Sequence, residues 1–424
     1  MRPTRARRTM VGFALGAMAV AYLDRICIST AAPAMKADLG LDDAEMGYVF
    51  SAFILAYALF EVPSGWLADR FGSRLMLTRI VVWWSAMTAA TGATQGFASL
   101  LAVRWLFGMG EAGALPSLTR AFGRWLPVRE RGRAFGLTLM AAGLGGAATQ
   151  PIVVAILERV SWRHAFPIFG CVGLAFAASW WIWFRDDPRD HAAVNAAELA
   201  EIGCDPPSAA HPRMPWRAFV RSRTLAALAA MYFGSIYGWY FYLTWLPTYL
   251  MRGRGFDLAA VGWLAAGPLV AIATGSLVGG VLADTLARRL GARIGLRLPG
   301  LVGLPLAALA ILAAASAHDP RTSAFCLAAA AGLAALGVAA AWSACLAIGG
   351  RHAGAVSGAM NTFGNLGGAM SPVVVGWCLT TWSSWNAPLY TVAAMYGLAA
   401  VCWLGVDATE RLDVEAEEQE RSGS

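Results

Sequence analysis

Long apolar blocks alternate with short polar clusters along the whole chain. Within the blocks, apolar and polar positions do not alternate one by one, as the strands of a membrane barrel must. A helix rises 1.5 Å per residue, so about 20 apolar residues cross a hydrocarbon core of roughly 30 Å. Twelve blocks suit that length: residues 10–35, 45–68, 75–94, 97–121, 133–156, 164–184, 224–250, 258–285, 299–316, 322–346, 353–378 and 388–406. The ninth is short. The pattern predicts an all-α polytopic membrane protein with twelve transmembrane helices.

Composition narrows the class. Of 424 residues, 58% are hydrophobic and 14% charged, against roughly 45–50% and about 25% in a soluble domain. Mean hydropathy is +0.55. Too few charges exist to cover a soluble surface, which excludes a soluble enzyme carrying one anchor and any disordered or fibrous protein. No Ser/His/Asp set, metal spacing or nucleotide loop is evident, so no enzyme activity, cofactor or metal is expected. The seven cysteines form no CxxC pair and read as small packing residues.

The formal charge is +7, and Lys36 is the only lysine. Such a balance can mark a nucleic-acid surface. Its placement argues otherwise. Laid on the spans, twenty-three basic residues fall on one side and six on the other. The positive-inside rule then puts both termini in the cytoplasm and removes the need for a nucleic-acid partner. Arg2, Arg5, Arg7 and Arg8 precede a block long enough to span, and so read as part of a signal anchor. The resulting organisation is a cytoplasmic N-terminus over 1–9, a six-helix bundle over 10–184, a cytoplasmic linker over 185–223, a second six-helix bundle over 224–406 and an acidic tail over 407–424.

The two bundles repeat. Pro33, Gly47 and Asp69 recur as Pro247, Gly262 and Asp284, about half a chain later. Gly132-x3-Gly136, Gly145-Gly146 and Pro151 recur as Gly354-x3-Gly358, Gly367-Gly368 and Pro372. A parallel repeat of six helices is a transporter plan. Gly65-Trp-Leu-Ala-Asp69-Arg70-Phe-Gly72-Ser-Arg74 resembles the loop between helices 2 and 3 of the major facilitator superfamily. In that family these charges form a cytoplasmic gating latch, of which Asp284 is here a reduced copy.

The resemblance extends to the anion:cation symporter family. It is carried by Tyr22-Leu-Asp24-Arg25-x3-Ser29-x3-Pro33 and by Arg104-x3-Gly108-x-Gly110-Glu111-Ala-x3-Pro116. Arg124-Trp125-x-Pro127-x2-Glu130-Arg131-Gly132-Arg133, Trp245-Leu-Pro247-x-Tyr249-Leu250 and Asn361-x2-Gly364-Asn365-Leu-Gly367-Gly368 complete it. The family carries organic anions such as sugar acids, commonly with protons. Glu61 departs from its pattern, which more often has Gln.

Charges inside a membrane are costly and functional by default. Asp24, Arg25, Glu61, Arg104 and Glu111 lie within the spans of the first bundle. Arg25 and Arg104 are candidates to grip an anion, since a guanidinium offers a two-pronged donor. Asp24, Glu111 and Glu61 are candidates to carry protons. Helix rise places Asp24 and Arg104 at similar depth, so that the two can pair. Tyr57, and in the second bundle Tyr237, Trp342, Asn361 and Asn365, are further substrate-facing candidates.

These readings make the chain a monomeric, multi-pass transporter of a bacterial plasma membrane. The expected activity is alternating-access import of a small organic anion with protons. An organic anion exchanger, an organophosphate:phosphate antiporter and a non-transporting membrane receptor remain as alternatives.

Overall fold

A computed structural model describes residues 3–202, 219 and 221–410. Residues 203–218 and 220 of the expected linker and the acidic stretch after Glu410 lie outside the described residues, as does the side chain of Asp69. The chain forms two compact units, residues 1–209 and 210–424. Regular structure is helical throughout the described residues.

In the first unit the long helices are α1 (Ala6–Leu39), α2 (Asp43–Phe71), α3 (Ser73–Thr91), α4 (Phe97–Glu111), α5 (Ala114–Trp125), α6 (Val128–Leu157) and α7 (Trp162–Trp183). A short helix, α8 (Ala196–Ile202), follows. In the second unit they are α9 (Arg223–Thr244), α10 (Leu258–Leu290), α11 (Ala292–Ser316), α12 (Pro320–Gly349), α13 (Ala353–Trp382) and α14 (Asn386–Trp403). The predicted fourth span is two helices, because Gly113 takes a φ of 92° and interrupts the ladder. Counting α4 and α5 as one passage gives six per unit and twelve in all among the described residues. The seventh passage ends in a turn, Leu246–Thr248, and a π-helical turn, Tyr249–Gly253.

Local sequence explains the helix starts. Asp42 accepts from the Glu45 amide while the Glu45 carboxylate accepts from the Asp42 amide, a reciprocal cap on α2. Asp257 and Asp319 cap α10 and α12 at 2.8 Å. Length and apolarity alone qualify seven helices as membrane spans. The fourth passage, broken at Gly113 and carrying Arg104, Glu111, Arg120 and Arg124, is not among them. Outward-facing side chains are large and apolar: Ile182, Leu277 and Phe325 are 71%, 70% and 75% exposed. Lipid, not water, suits such a surface.

Packing repeats as the sequence does. In the first unit α1 lies on α6, α2 on α4 and α3 on α7; in the second α9 lies on α13, α10 on α12 and α11 on α14. The repeated glycines mark equivalent contacts. A Cβ on Gly145 would stand 2.8 Å from the Ala19 backbone, and one on Gly367 would meet the Phe233 backbone carbonyl.

A second correspondence lies at the helix ends. Gly72 and Gly291 share an unusual backbone (φ 85°, ψ 157° and φ 83°, ψ 159°) just before α3 and α11. Asp186 caps α3 through the Ser73 amide at 2.6 Å, and Arg74 donates to the Trp181 carbonyl at the end of α7. In the second unit Arg293 pairs with Asp407 at 2.9 Å, and Arg297 donates to the Val406 carbonyl beyond α14. Each unit therefore has an arginine–aspartate clasp tying its third passage to its sixth. Asp407 opens the stretch read from sequence as a tail, and the structure holds it against α11.

Candidate functional site

The buried charges of the first unit converge on α1 and α4. Asp24 is fully buried, Arg104 is 2% exposed and Glu111 is 1% exposed. Arg25 donates to the Glu111 carboxylate at 2.5 Å. Three aromatic rings surround the Arg25 guanidinium: Tyr22, Phe53 and Tyr57, at 5.1, 5.0 and 5.1 Å from their centroids. Such contacts stabilise a desolvated cation.

Arg104 has a different environment. Its guanidinium lies 4.5 Å from the Phe107 ring centroid and 5.1 Å from that of Phe53. Among the described residues it has neither a hydrogen bond nor an ion pair, and its Nε is buried without an acceptor. A buried guanidinium without a direct hydrogen bond or ion pair can receive an anion, because binding would satisfy donors that the protein has left unmatched.

The expected pairing of Asp24 with Arg104 is corrected here. No hydrogen bond joins them; the close pair is Arg25 with Glu111. Neighbouring helix positions differ by about 100°, so Asp24 and Arg25 cannot face the same partner. Asp24 points toward Trp84 and Thr88 of α3 and stays within electrostatic reach of Glu111 and Arg104. The Asp24 oxygens, the Trp84 N–H and the Thr88 hydroxyl are buried without closing a hydrogen bond.

Small residues let this group assemble. A Cβ on Gly108 would strike the Phe53 backbone carbonyl, and one on Gly110 would enter the Trp83 ring. The two glycines allow α4 to close on α2 and α3. Tyr57 is 8% exposed and belongs to the cluster, while Glu61 is half-buried one turn further along α2. Phe53, Trp84 and Thr88 were not singled out by sequence reading. A signal existed for Phe53, which lies four residues before Tyr57 and so shares its helix face.

The candidates of the second unit are spread over three helices. Tyr237 is 1% exposed, and its hydroxyl bonds Thr391 of α14 at 2.9 Å. Trp342 of α12 is 38% exposed and meets the Tyr232 ring edge-on. On α13, Asn361 is half-buried and Asn365 is 8% exposed, with its amide nitrogen unbonded. Trp245 donates to the Pro372 carbonyl at 3.2 Å. The motif glycines Gly364 and Gly368 make room for the rings of Tyr232 and Tyr240.

The residues of the gating motif also separate. A Cβ on Gly65 would stand 3.5 Å from the Pro116 side chain. Arg70 is exposed over the Trp66 and Phe71 rings, and Arg74 is committed to the clasp with α7. Asp284 is exposed.

A probable sulfoacetate transporter of Cupriavidus necator, SauU, is 37% identical over 400 residues, covering 93% of this chain and 92% of that one. A probable galactarate/D-glucarate transporter of Escherichia coli, GarP, is 31% identical over 414 residues, covering 92% and 91%. A crystal structure of a bacterial homologue of the human lysosomal transporter Spinster superposes with a TM-score of 0.75, at 19% identity and 97% coverage of both chains, a likeness of fold. The profile of the Major Facilitator Superfamily matches residues 14–372 and 228–423. With its twelve helical passages and its repeated halves, this chain belongs to the Major Facilitator Superfamily and is a multi-pass membrane transporter, not an enzyme.

Proposed function

We propose that the chain imports a small organic anion together with protons, by alternating access, as a monomer in a bacterial plasma membrane with both termini cytoplasmic. The observation that carries this reading is Arg104: a buried guanidinium with aromatic contacts and no acidic partner among the described residues. Around it stand the groups a coupled carrier needs. Glu111 and Asp24 can take protons, and neutralising Glu111 weakens its ion pair with Arg25. Tyr57 sets the cluster's aromatic wall. Relatives named as sulfoacetate and galactarate/D-glucarate transporters support an acidic substrate.

In this reading Tyr237, Trp342, Asn361 and Asn365 supply contacts from the second unit. Glu61 is a further proton group. Gly65, Asp69, Arg70, Gly72, Arg74 and Asp284 belong to the gate.

Uptake of sulfoacetate into proteoliposomes under an imposed pH gradient tests the proposal. Accumulation should follow the gradient. Uptake indifferent to it would favour the exchanger or antiporter instead. Arg104→Ala should abolish uptake while leaving the protein folded; normal uptake by that variant would remove Arg104 from the site.

A further inference from the structure

Residues 184–202 follow α7 and fold back over the first unit. Phe184 stacks on Trp180 and on Trp125, the last residue of α5, at 4.0 and 5.6 Å between centroids. The Trp125 ring donates to the Arg185 carbonyl at 2.8 Å, and His191 meets that ring edge-on at 5.3 Å. The segment then reaches the start of α1. Thr4 and Asn195 exchange two hydrogen bonds, each from the main-chain amide of one to the side chain of the other. Glu198 is fully buried and accepts from the Thr4 hydroxyl and from the amides of Ala6 and Arg7, the latter two at 3.3 and 3.1 Å. The carboxylate thus satisfies amides that the first turn of α1 leaves without partners. Arg7 adds ion pairs with Glu201 of α8 at 2.5 Å and with Glu130 at the start of α6 at 3.3 Å.

This strap bears on the charged cluster through what it joins. α1 packs on α6 and α7, whereas α4 packs on α2 and α3. The two passages that carry the buried charges therefore belong to different packed groups, and Arg25 and Glu111 meet across them. The strap is seated on both. It holds α1 through Asn195 and Glu198, and the fourth passage through Trp125, because α5 continues that passage beyond Gly113. From Arg7 to Arg25 the helix rises about 27 Å. Over that lever a tilt of about 2° moves Arg25 by about 1 Å, enough to open its 2.5 Å contact with Glu111.

We propose that residues 184–202 are a fixed strap that sets the spacing of the first and fourth passages, with Glu198 and Trp125 as positioning residues for the anion site. The proposal rests on that site being the one described above. The strap stays seated throughout transport, since releasing Glu198 would leave a buried carboxylate and its three donors unmatched together.

The experiment uses the full-length protein with its seven native cysteines replaced by alanine. Spin labels on Thr9→Cys and Gly123→Cys, both exposed, report the distance between the ends of α1 and α5. Glu198→Ala should widen the distribution of that distance. In proteoliposomes it should raise the KM for sulfoacetate about tenfold and leave the maximal rate nearly unchanged. Glu198→Gln keeps an acceptor oxygen and should restore both. A disulfide between Thr4→Cys and Asn195→Cys should leave uptake the same before and after reduction.

Unchanged label distances in Glu198→Ala would overturn the proposal, as would an unchanged KM beside a lowered Tm, which makes Glu198 a cap and nothing more. A disulfide that stops uptake until it is reduced would show that the strap must leave its seat, and would overturn it too. Absence of sulfoacetate uptake by the unmodified protein counts against the anion reading and not against the strap, on which the label distances then decide.

Discussion

At the scale of single residues, two arginines within the same few ångströms have opposite circumstances. Arg25 has a carboxylate partner and three rings; Arg104 has two rings and no acidic partner among the described residues. Removing one side of a buried pair leaves the other unmatched, at about 3–5 kcal/mol. Glu111→Ala should therefore cost stability through loss of the ion pair with Arg25, and Glu111→Gln should cost less because the amide still accepts a hydrogen bond. Thermal unfolding in detergent compares the two, and equal losses would contradict the pair's importance. Asp24 calls for a functional readout. Asp24→Asn should spare substrate exchange and abolish pH-driven accumulation; loss of binding as well would assign Asp24 a structural role. The presence of these charges in the membrane was legible in the sequence. Their partners were not, because a rotation of 100° along α1 decides which of two adjacent side chains meets Glu111, and only the packed helices fix that angle.

At the scale of helices, the repeat is a physical correspondence and not only a string match. Gly145 and Gly367 allow α1 on α6 and α9 on α13 to approach backbone to backbone. Gly145→Ala should destabilise the protein by about 1–3 kcal/mol, since the Ala19 backbone cannot step aside as a side chain would. Gly132→Ala has open space around the new methyl group and should be close to neutral in the same unfolding assay. The clasps extend the correspondence to helix ends. Asp186→Ala removes the cap on α3 and should cost about 1 kcal/mol, read as a lower Tm. Asp407 adds a pH signature. Burial raises its carboxyl, but the Thr409 hydroxyl and amide and the charges of Arg293 and Arg297 prevail and hold it below the usual range. A carboxyl depressed by folding stabilises above its unfolded value and loses that contribution as pH falls through its folded one. The advantage of the native protein over Asp407→Asn should thus be complete at neutral pH and fade below about pH 4. A constant difference down to the lowest accessible pH would contradict the clasp. Such clasps escape sequence reading because Arg74 and Asp186 stand more than a hundred positions apart, with nothing local to couple them.

At the scale of the whole molecule, the sequence by itself determined the class, the number of passages and the twofold plan. Backbone polar groups in lipid must be satisfied within each segment, so an apolar block of sufficient length has one structural solution and can be counted directly. The same requirement made the sparse charges conspicuous and directed attention to α1 and α4. The interruption at Gly113, the clasps and the exchange of partners between Asp24 and Arg25 were decided only in three dimensions. Each depends on helix rotation, tilt and the approach of segments distant in sequence, which side-chain shape sets jointly and no single block of residues encodes. The same holds for function: the internal repeat and the charges within its spans announced a carrier with ionised groups in its core, but only the packed helices left Arg104 without a direct ion pair among the described residues and brought it and Arg25 to the same phenyl ring.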